Sequence, residues 1–254
     1  MIDTHCHIND KLYKDNPEAY IKEAQKEGVS KFLVVGFDLE SSKLAVEIAN
    51  KFPDCYAAIG IHPSEKQDFS DATINELEKL ANNKKVIAIG EIGLDYYWDK
   101  DKKIQENQKI FFKKQIDLAN KLELPISIHC REANEECLKI LKSNPVKRGG
   151  IMHCYAGSTE MMNEFIKLGF LLGIGGVVTF KNAQKLKEVA KHVSSNSYVL
   201  ETDSPYLTPE PFRGHENHSK YLKFVRDQIA LLRGISSEQV EKETTENFER
   251  VFIR

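Results

Sequence analysis

The sequence predicts a single-domain α/β protein, a TIM-type (β/α)₈ barrel that spans residues 1–254. Eight short apolar runs, rich in valine and isoleucine, alternate with longer segments of helical periodicity, which is typical of parallel strands covered by helices. The centres of these runs lie about 28 residues apart on average, close to the roughly 30 residues of one β–α–β unit. The length of 254 residues also suits such a barrel. An open, doubly wound sheet is the alternative architecture.

The predicted elements follow this alternation along the chain. We expect strands over Ile2–His7, Lys31–Phe37, Cys55–His62, Val86–Leu94, Pro125–Cys130, Gly150–Tyr155, Gly169–Ile174 and Tyr198–Asp203. One apolar stripe predicts a helix over Asp101–Leu122. Ser236 and Gln239 resemble a capping box at the start of a last helix, which we expect to pack on the barrel wall. The proline-rich segment Ser204–Asn217 is expected to be a loop over the carboxyl end of the barrel.

Composition limits the partners and the location of the chain. Lys and Arg total 36 against 38 Asp and Glu, which gives a net charge of −2 and excludes a global basic field for nucleic acid. The sequence contains neither an apolar run of about 20 residues nor a basic, apolar leader, so we expect no membrane contact and a cytoplasmic location. The five cysteines include no CxxC pair and are expected to be free thiols. No oligomerisation helix is evident, so we expect a monomer.

Histidines concentrate where the predicted strands end. Five of the eight lie there: His5, His7, His62, His129 and His153. Because side chains alternate along a strand, His5 and His7 point to one face and can share a metal ion. The same alternation turns the adjacent cysteines towards the helix layer; these are Cys6, Cys130 and Cys154. The alternative is that a cysteine, rather than its histidine neighbour, is the ligand.

Two carboxylates complete the predicted site. Glu91 ends the fourth strand and Asp203 ends the eighth, where a carboxylate is costly to bury unless it is paired or binds metal. Singly, each residue is explained as a buried polar group or a helix cap. Together they predict a metal centre with the ligands His5, His7, Glu91, His129, His153 and Asp203.

Six ligands favour two divalent ions over one. Glu91 is the candidate bridge, and Asp203 is the candidate group that orients or deprotonates a metal-activated water. We therefore predict that both carboxylates are catalytic. Imidazole-rich sites suit zinc, manganese or iron better than magnesium.

Other residues near the strand ends are candidate substrate contacts. Arg131 and Arg213 are expected to bind phosphate, since a guanidinium matches its geometry; a surface ion pair with Glu132 or Glu216 is the alternative. His62 and Asp95 either line the pocket or support the ligands. Four aromatic residues either stack on bases or only pack: Tyr96, Tyr97, Trp98 and Tyr155.

These residues lie in a series of motifs that extends along the whole chain. The motifs are DTHCH (Asp3–His7), GIHP (Gly60–Pro63), GEIGLDYY (Gly90–Tyr97), HCREA (His129–Ala133), HCYAG (His153–Gly157), ETDSPYL (Glu201–Leu207), PFRG (Pro211–Gly214) and TTENFERVF (Thr244–Phe252). In this set the chain closely resembles the TatD-type metal-dependent deoxyribonucleases of the amidohydrolase-like superfamily. The resemblance implies a metal-binding barrel, hydrolysis of DNA phosphodiesters with exonuclease activity, the same six ligands, and magnesium as a working metal.

The loop after the last strand departs from the family pattern. The family usually reads PFRGKRNEP, whereas this chain has His215 and Glu216 in place of the two basic residues, and His218 and Ser219 in place of Glu-Pro. Arg213 and Asn217 match the pattern, and Asn217 is a further candidate substrate contact. The loss of two fixed positive charges bears on the preference and affinity for DNA.

The leading functional prediction is a metal-dependent hydrolase that cleaves DNA. One alternative is an amide or lactone hydrolase on the same scaffold. Such enzymes often bridge their metals with a carboxylated lysine, whereas Glu91 ends the fourth strand here. The other alternative is a non-catalytic interaction protein that retains a metal site.

Overall fold

The computed structural model describes residues 1–253, which form one eight-stranded parallel sheet in the order of the sequence. The strands are β1 (Ile2–Cys6), β2 (Lys31–Val35), β3 (Cys55–Ile59), β4 (Val86–Asp95), β5 (Ile126–Arg131), β6 (Gly150–Met152), β7 (Phe170–Ile174) and β8 (Tyr198–Leu200). The chain after β8 bonds back to β1, since His7 N donates to Ser204 O and Asp203 N to His5 O, both at 2.9 Å. The sheet thus closes as a TIM-type (β/α)₈ barrel, as predicted.

Helices alternate with the strands and cover the barrel. Over residues 1–253 they are α1 (Pro17–Lys26), α2 (Leu39–Lys51), α3 (Asp71–Leu80), α4 (Lys102–Leu122), α5 (Asn134–Ser143), α6 (Thr159–Lys167), α7 (Gln184–His192), α8 (Leu222–Arg233) and α9 (Ser237–Phe252). Ser236 Oγ caps α9 by accepting from Gln239 N, but the Gln239 amide donates to Glu243 instead of reaching back. Only half of the predicted capping box therefore forms.

Five strands, β1, β2, β3, β6 and β8, end one to three residues earlier than predicted. Of these, β6 and β8 each end three residues early, at Met152 and Leu200. The residues that follow cannot continue a strand, because Cys154 and Asp203 adopt left-handed backbone angles, with φ of 44° and 57°. His153 and Asp203 therefore lie in the turns beyond the strands. These turns, rather than the strands, set the direction of both side chains.

Apolar residues on alternate strand positions form two clusters. One lies between the strands and the helices. The other lies inside the barrel and joins residues such as Leu33, Ala58 and Val199 to Phe248 and Phe252 of α9, whose rings stack at 4.9 Å. The last helix was predicted to pack on the barrel wall. In the structure its second half also fills the amino end of the barrel interior.

The remaining compositional expectations concern thiols and membranes. The five cysteines are free; Cys6, Cys55 and Cys137 are buried, and Cys130 and Cys154 are partly exposed. Within residues 1–253, no helix has the length and apolarity needed to cross a bilayer.

Candidate metal centre

The structure brings all six predicted ligands to the carboxyl end of the barrel. His5 and His7 come from the end of β1, Glu91 from the middle of β4, and His129 from β5. His153 and Asp203 come from the turns after β6 and β8. Four of the six are almost fully buried: His5, His7, Glu91 and His153. Residues that are up to 198 positions apart in the sequence thus share one site.

The imidazoles of His5 and His7 form one half of the site with Asp203. Their Nε2 atoms are 3.3 Å apart, and each faces Asp203 Oδ1, at 3.8 Å from His5 and 3.4 Å from His7. Three ligand atoms around one position form a group that can hold a metal ion.

Glu91 lies between this half and a second group of imidazoles. Its Oε2 is 3.7 Å from His5 Nε2 and 4.0 Å from His7 Nε2. Its Oε1 is 2.9 Å from His129 Nδ1 and 3.8 Å from His153 Nε2. Oε1 also lies 3.7 Å from His62 Nε2. One carboxylate thus presents its two oxygens to different sets of imidazoles, which is the arrangement that a bridging ligand needs.

The outer nitrogens of three imidazoles are held by the surrounding protein. Nδ1 lies 2.9 Å from Val35 O in His7 and 3.4 Å from Ser127 Oγ in His5. In His153 it faces a Glu201 carboxylate oxygen at 3.2 Å, in the position of an ion pair rather than of an aligned hydrogen bond. Such contacts orient a ring and direct its other nitrogen, Nε2, towards a cation. The residues present therefore fit a divalent metal.

His129 differs from the other imidazoles, because both of its nitrogens face carboxylates. Nδ1 is 2.9 Å from Glu91 Oε1, and Nε2 is 3.0 Å from Asp95 Oδ2. Coordination by His129 would replace one of these contacts. His62 lies beside it, with ring centroids 4.3 Å apart, and the group of His62, Asp95 and His129 can also hold a metal ion.

The electrostatics of the centre are governed by burial and by close opposite charges. Burial raises the pKa of Glu91, but His62, His129 and His5 outweigh it and hold the pKa well below its usual range. Burial lowers the pKa of His129, but Asp95 and Glu91 raise it to about 9. The pKa of His62 is lowered to about 4, because the effect of burial outweighs that of the nearby carboxylates.

Glu201 was not assigned a role from the sequence, although it lies in the motif that contains Asp203. It is fully buried, its Oε1 accepts from Cys154 N at 2.6 Å, and its Oε2 is the oxygen that faces His153 Nδ1. Together with Asp203, this carboxylate raises the pKa of His153 to about 10, against the lowering effect of burial. A second acid two residues before Asp203, directly after an apolar strand, was the available signal.

A buried network anchors the loop after β8, and two residues that depart from the family pattern take part in it. Asp3 Oδ2 accepts from Thr202 Oγ1 at 2.6 Å and from Ser219 Oγ at 2.5 Å. The Tyr20 hydroxyl lies 2.7 Å from Ser219 Oγ, and the His218 ring stacks on Tyr20 at 3.8 Å. His218 and Ser219 thus attach the loop to β1 and α1 instead of facing a substrate.

The loop also encloses Asn217, which corrects its predicted contact with substrate. The side chain is 0% exposed, and its amide donates to Thr202 O at 2.8 Å and Tyr206 O at 2.6 Å. Its Oδ1 accepts from His218 N at 2.9 Å. The hydrogen bonds of Asn217 are therefore used inside the loop.

The two predicted phosphate-binding arginines lie against aromatic rings. The Arg131 guanidinium is 3.8 Å from the Tyr97 ring centroid, and that of Arg213 is 3.9 Å from the Phe180 centroid. Glu132, the alternative ion-pair partner of Arg131, pairs with Lys100 at 2.8 Å.

Comparisons with known proteins agree with this architecture. The family model "TatD related DNase" matches residues 2–253. An uncharacterized metal-dependent hydrolase, YabD of Bacillus subtilis, is 44% identical over 99% of this chain and 98% of its own. A 3'-5' ssDNA/RNA exonuclease, TatD of Erwinia tasmaniensis, is 31% identical over 99% of each chain.

A solved structure extends the likeness to three dimensions. The crystal structure of YjjV, a TatD homologue from Escherichia coli, superposes with a TM-score of 0.95 at 29% identity, covering 99% of this chain and 97% of that one. With a family match along nearly its whole length and a cluster of histidines and carboxylates at the barrel mouth, this chain belongs to the TatD-related family of metal-dependent hydrolases.

Proposed function

We propose that this chain hydrolyses phosphodiester bonds of DNA as an exonuclease that uses two divalent cations. The observation that carries the proposal is the position of Glu91, whose two carboxylate oxygens face two separate groups of imidazoles. The name of the Erwinia tasmaniensis relative, an exonuclease for single-stranded DNA and RNA, supports the choice of substrate.

The six side chains divide into two sets around the bridge. His5, His7 and Asp203 would hold one cation, and His129 and His153 the other, with Glu91 common to both. Cations at such positions stabilise charge on a phosphoryl oxygen and lower the pKa of a water molecule. One chain supplies every ligand, so the proposal requires only a monomer. The imidazole content favours manganese or zinc, and magnesium is implied by the family.

The transfer of a proton from the attacking water is assigned to Asp203. Of the two carboxylates that are predicted to be catalytic, Asp203 is the more accessible. Its side chain is 16% exposed, and that of Glu91 is 7% exposed. Burial raises the pKa of Asp203, but His153 and His7 outweigh it and lower the pKa. Asp203 is therefore ionised and able to accept the proton of an attacking water.

The test is hydrolysis of a 5'-labelled single-stranded oligonucleotide with Mg²⁺ or Mn²⁺. We expect stepwise shortening that EDTA stops and that Glu91→Ala and Asp203→Ala remove. Leu231→Ala, at a 77% exposed position on α8, is the matched control and should retain full activity. Faster cleavage of amides or lactones than of DNA would contradict the proposal, as would retained nuclease activity in both carboxylate variants.

A further inference from the structure

Four side chains form an exposed surface beside the metal centre, which we call the rim platform: Tyr97, Trp98, Lys100 and Arg131. Trp98 is 68% exposed and Tyr97 41% exposed, although large aromatic side chains are usually buried. Tyr155, which was also considered for stacking, is buried and packs near Phe165. Among the rings considered for stacking, the exposed ones are therefore Tyr97 and Trp98, in the turn that follows β4; Tyr206, in the loop after β8, is a further exposed ring at 55%.

The rim platform is attached to the metal centre through one carboxylate. Asp95 Oδ1 accepts from the backbone N–H groups of Tyr97 and Trp98, at 2.9 and 3.1 Å. Asp95 Oδ2 lies 3.0 Å from Nε2 of His129, one of the six ligands. The backbone of this turn is thus linked directly to the centre.

The platform combines aromatic faces with positive charge. The Arg131 guanidinium lies 3.8 Å from the Tyr97 centroid and 5.5 Å from that of Trp98, and Lys100 Nζ lies 5.8 Å from Tyr97. The two rings meet edge to face at 4.7 Å, which leaves the Trp98 indole without a stacked partner among these groups. Lys100 also pairs with Glu132 at 2.8 Å, so the positive charge that the platform offers a phosphate is chiefly that of Arg131.

We propose that the rim platform is a subsite for an unpaired nucleobase, which stacks on Trp98 while Arg131 contacts the adjoining phosphate. The inference rests on the proposed function and specifies its substrate as single-stranded nucleic acid. Exposed aromatic rings beside cations bind single strands without reading their sequence, because every base has an aromatic face. A base inside a duplex is already stacked on both sides, so a duplex cannot use the platform in this way.

Trp98 is the only tryptophan in the sequence, so its fluorescence reports directly on this subsite. The wild-type protein with Mg²⁺ is titrated with a phosphorothioate-linked oligothymidylate, whose linkages resist hydrolysis. A phosphorothioate strand of equal length that lacks bases is the matched probe. We expect the base-bearing strand to quench the indole emission and the abasic strand to leave it unchanged. Equal responses to both strands would overturn the proposal.

Kinetics of a Trp98→Ala variant provide the second measurement. We expect KM for a single-stranded oligonucleotide to rise about tenfold, as for the loss of one stacked base, with kcat retained. Trp98→Phe should restore most of the loss, and Leu231→Ala should change nothing. The Trp98→Ala effect should vanish on a strand that lacks the base next to the cleaved linkage. An unchanged KM in Trp98→Ala, or the same rise on the abasic strand, would contradict a stacking role.

The two measurements separate the subsite from the reaction. Quenching by the base-bearing strand without hydrolysis of the ordinary oligonucleotide would support the rim platform and refute the proposed nuclease. Hydrolysis without quenching, and with an unchanged KM in Trp98→Ala, would support the nuclease and refute the rim platform.

Discussion

The two ends of the barrel interior are formed by the same strands but by opposite kinds of side chain. At the amino end, Leu33, Ala58 and Val199 pack against Phe248 and Phe252 of α9. At the carboxyl end, a few residues further along the strands, the interior is occupied by imidazoles and carboxylates. Strand alternation directs His129 of β5 into the interior, whereas register shifts within β1 and β4 bring His5 and Glu91 inward. The turns after β6 and β8 direct His153 and Asp203.

The comparison separates the source of stability from the source of function. Burial of apolar side chains contributes favourably at the amino end, at about 25 cal/mol per Å². At the carboxyl end, burial of charged groups is unfavourable unless opposite charges or cations compensate it. Substitutions at the amino end should therefore change stability and leave metal binding intact, and substitutions at the carboxyl end should do the reverse.

The largest effect is expected for Glu91→Gln, which keeps the shape of the bridge and removes its charge. Loss of several kcal/mol of charge stabilisation corresponds to a fall in kcat of about 10³-fold or more. Metal content per chain, measured by elemental analysis after dialysis, should fall as well. Retention of two ions per chain and of turnover would show that Glu91 is not the bridge.

Phe248→Ala tests the opposite end of the barrel. Removing a fully buried ring that stacks on Phe252 should lower the free energy of unfolding by about 3–5 kcal/mol. Urea unfolding monitored by circular dichroism measures this loss, and Leu231→Ala on the surface is the control. Metal content and kcat below the transition should match the wild type. A loss of metal with intact stability would contradict the separation of the two ends.

The two ends of the barrel differ in how much of their structure can be predicted from the sequence. The strands, and the convergence of the six candidate ligands, were predictable because each depends on a local pattern, an apolar run or a polar residue at its end. The position of α9 was not, since its apolar stripe is compatible with either the wall or the interior. The role of Ser219 was not predictable either, because its hydroxyl bonds Asp3 from 216 residues away. Local periodicity carries no information about such pairs.

Glu201→Gln is expected to have an intermediate effect at the carboxyl end. The amide retains the size of the side chain and an acceptor for Cys154 N, but it loses the charge that faces His153 Nδ1. Loss of such a supporting carboxylate costs about 10–100-fold in metal affinity or activity. Titration of the metal-free protein with Mn²⁺ measures the affinity. Equal Mn²⁺ affinities for variant and wild type would limit Glu201 to a structural role.

The smallest change concerns the dependence of metal affinity on pH. Burial lowers the pKa of His129 and of His153, but the carboxylates around them raise these pKa values to about 9 and about 10. Without cations both imidazoles are thus protonated near neutral pH, and a bound cation must displace protons. The apparent affinity for Mn²⁺ should rise by up to about tenfold per pH unit for each displaced proton. Calorimetric titrations in two buffers of different ionisation enthalpy count these protons.

The stability of the metal-free protein should follow pH with the opposite sign. Because the folded pKa values exceed the unfolded value of about 6.5, the stabilisation from protonated His129 and His153 is complete below about pH 6.5. It is lost as the pH rises through the folded values, so the melting temperature in EDTA should fall over that range. With Mn²⁺ bound, the same rise in pH should increase the melting temperature. Melting curves that shift in the same direction with and without Mn²⁺ would mean that cations and protons do not compete for these imidazoles.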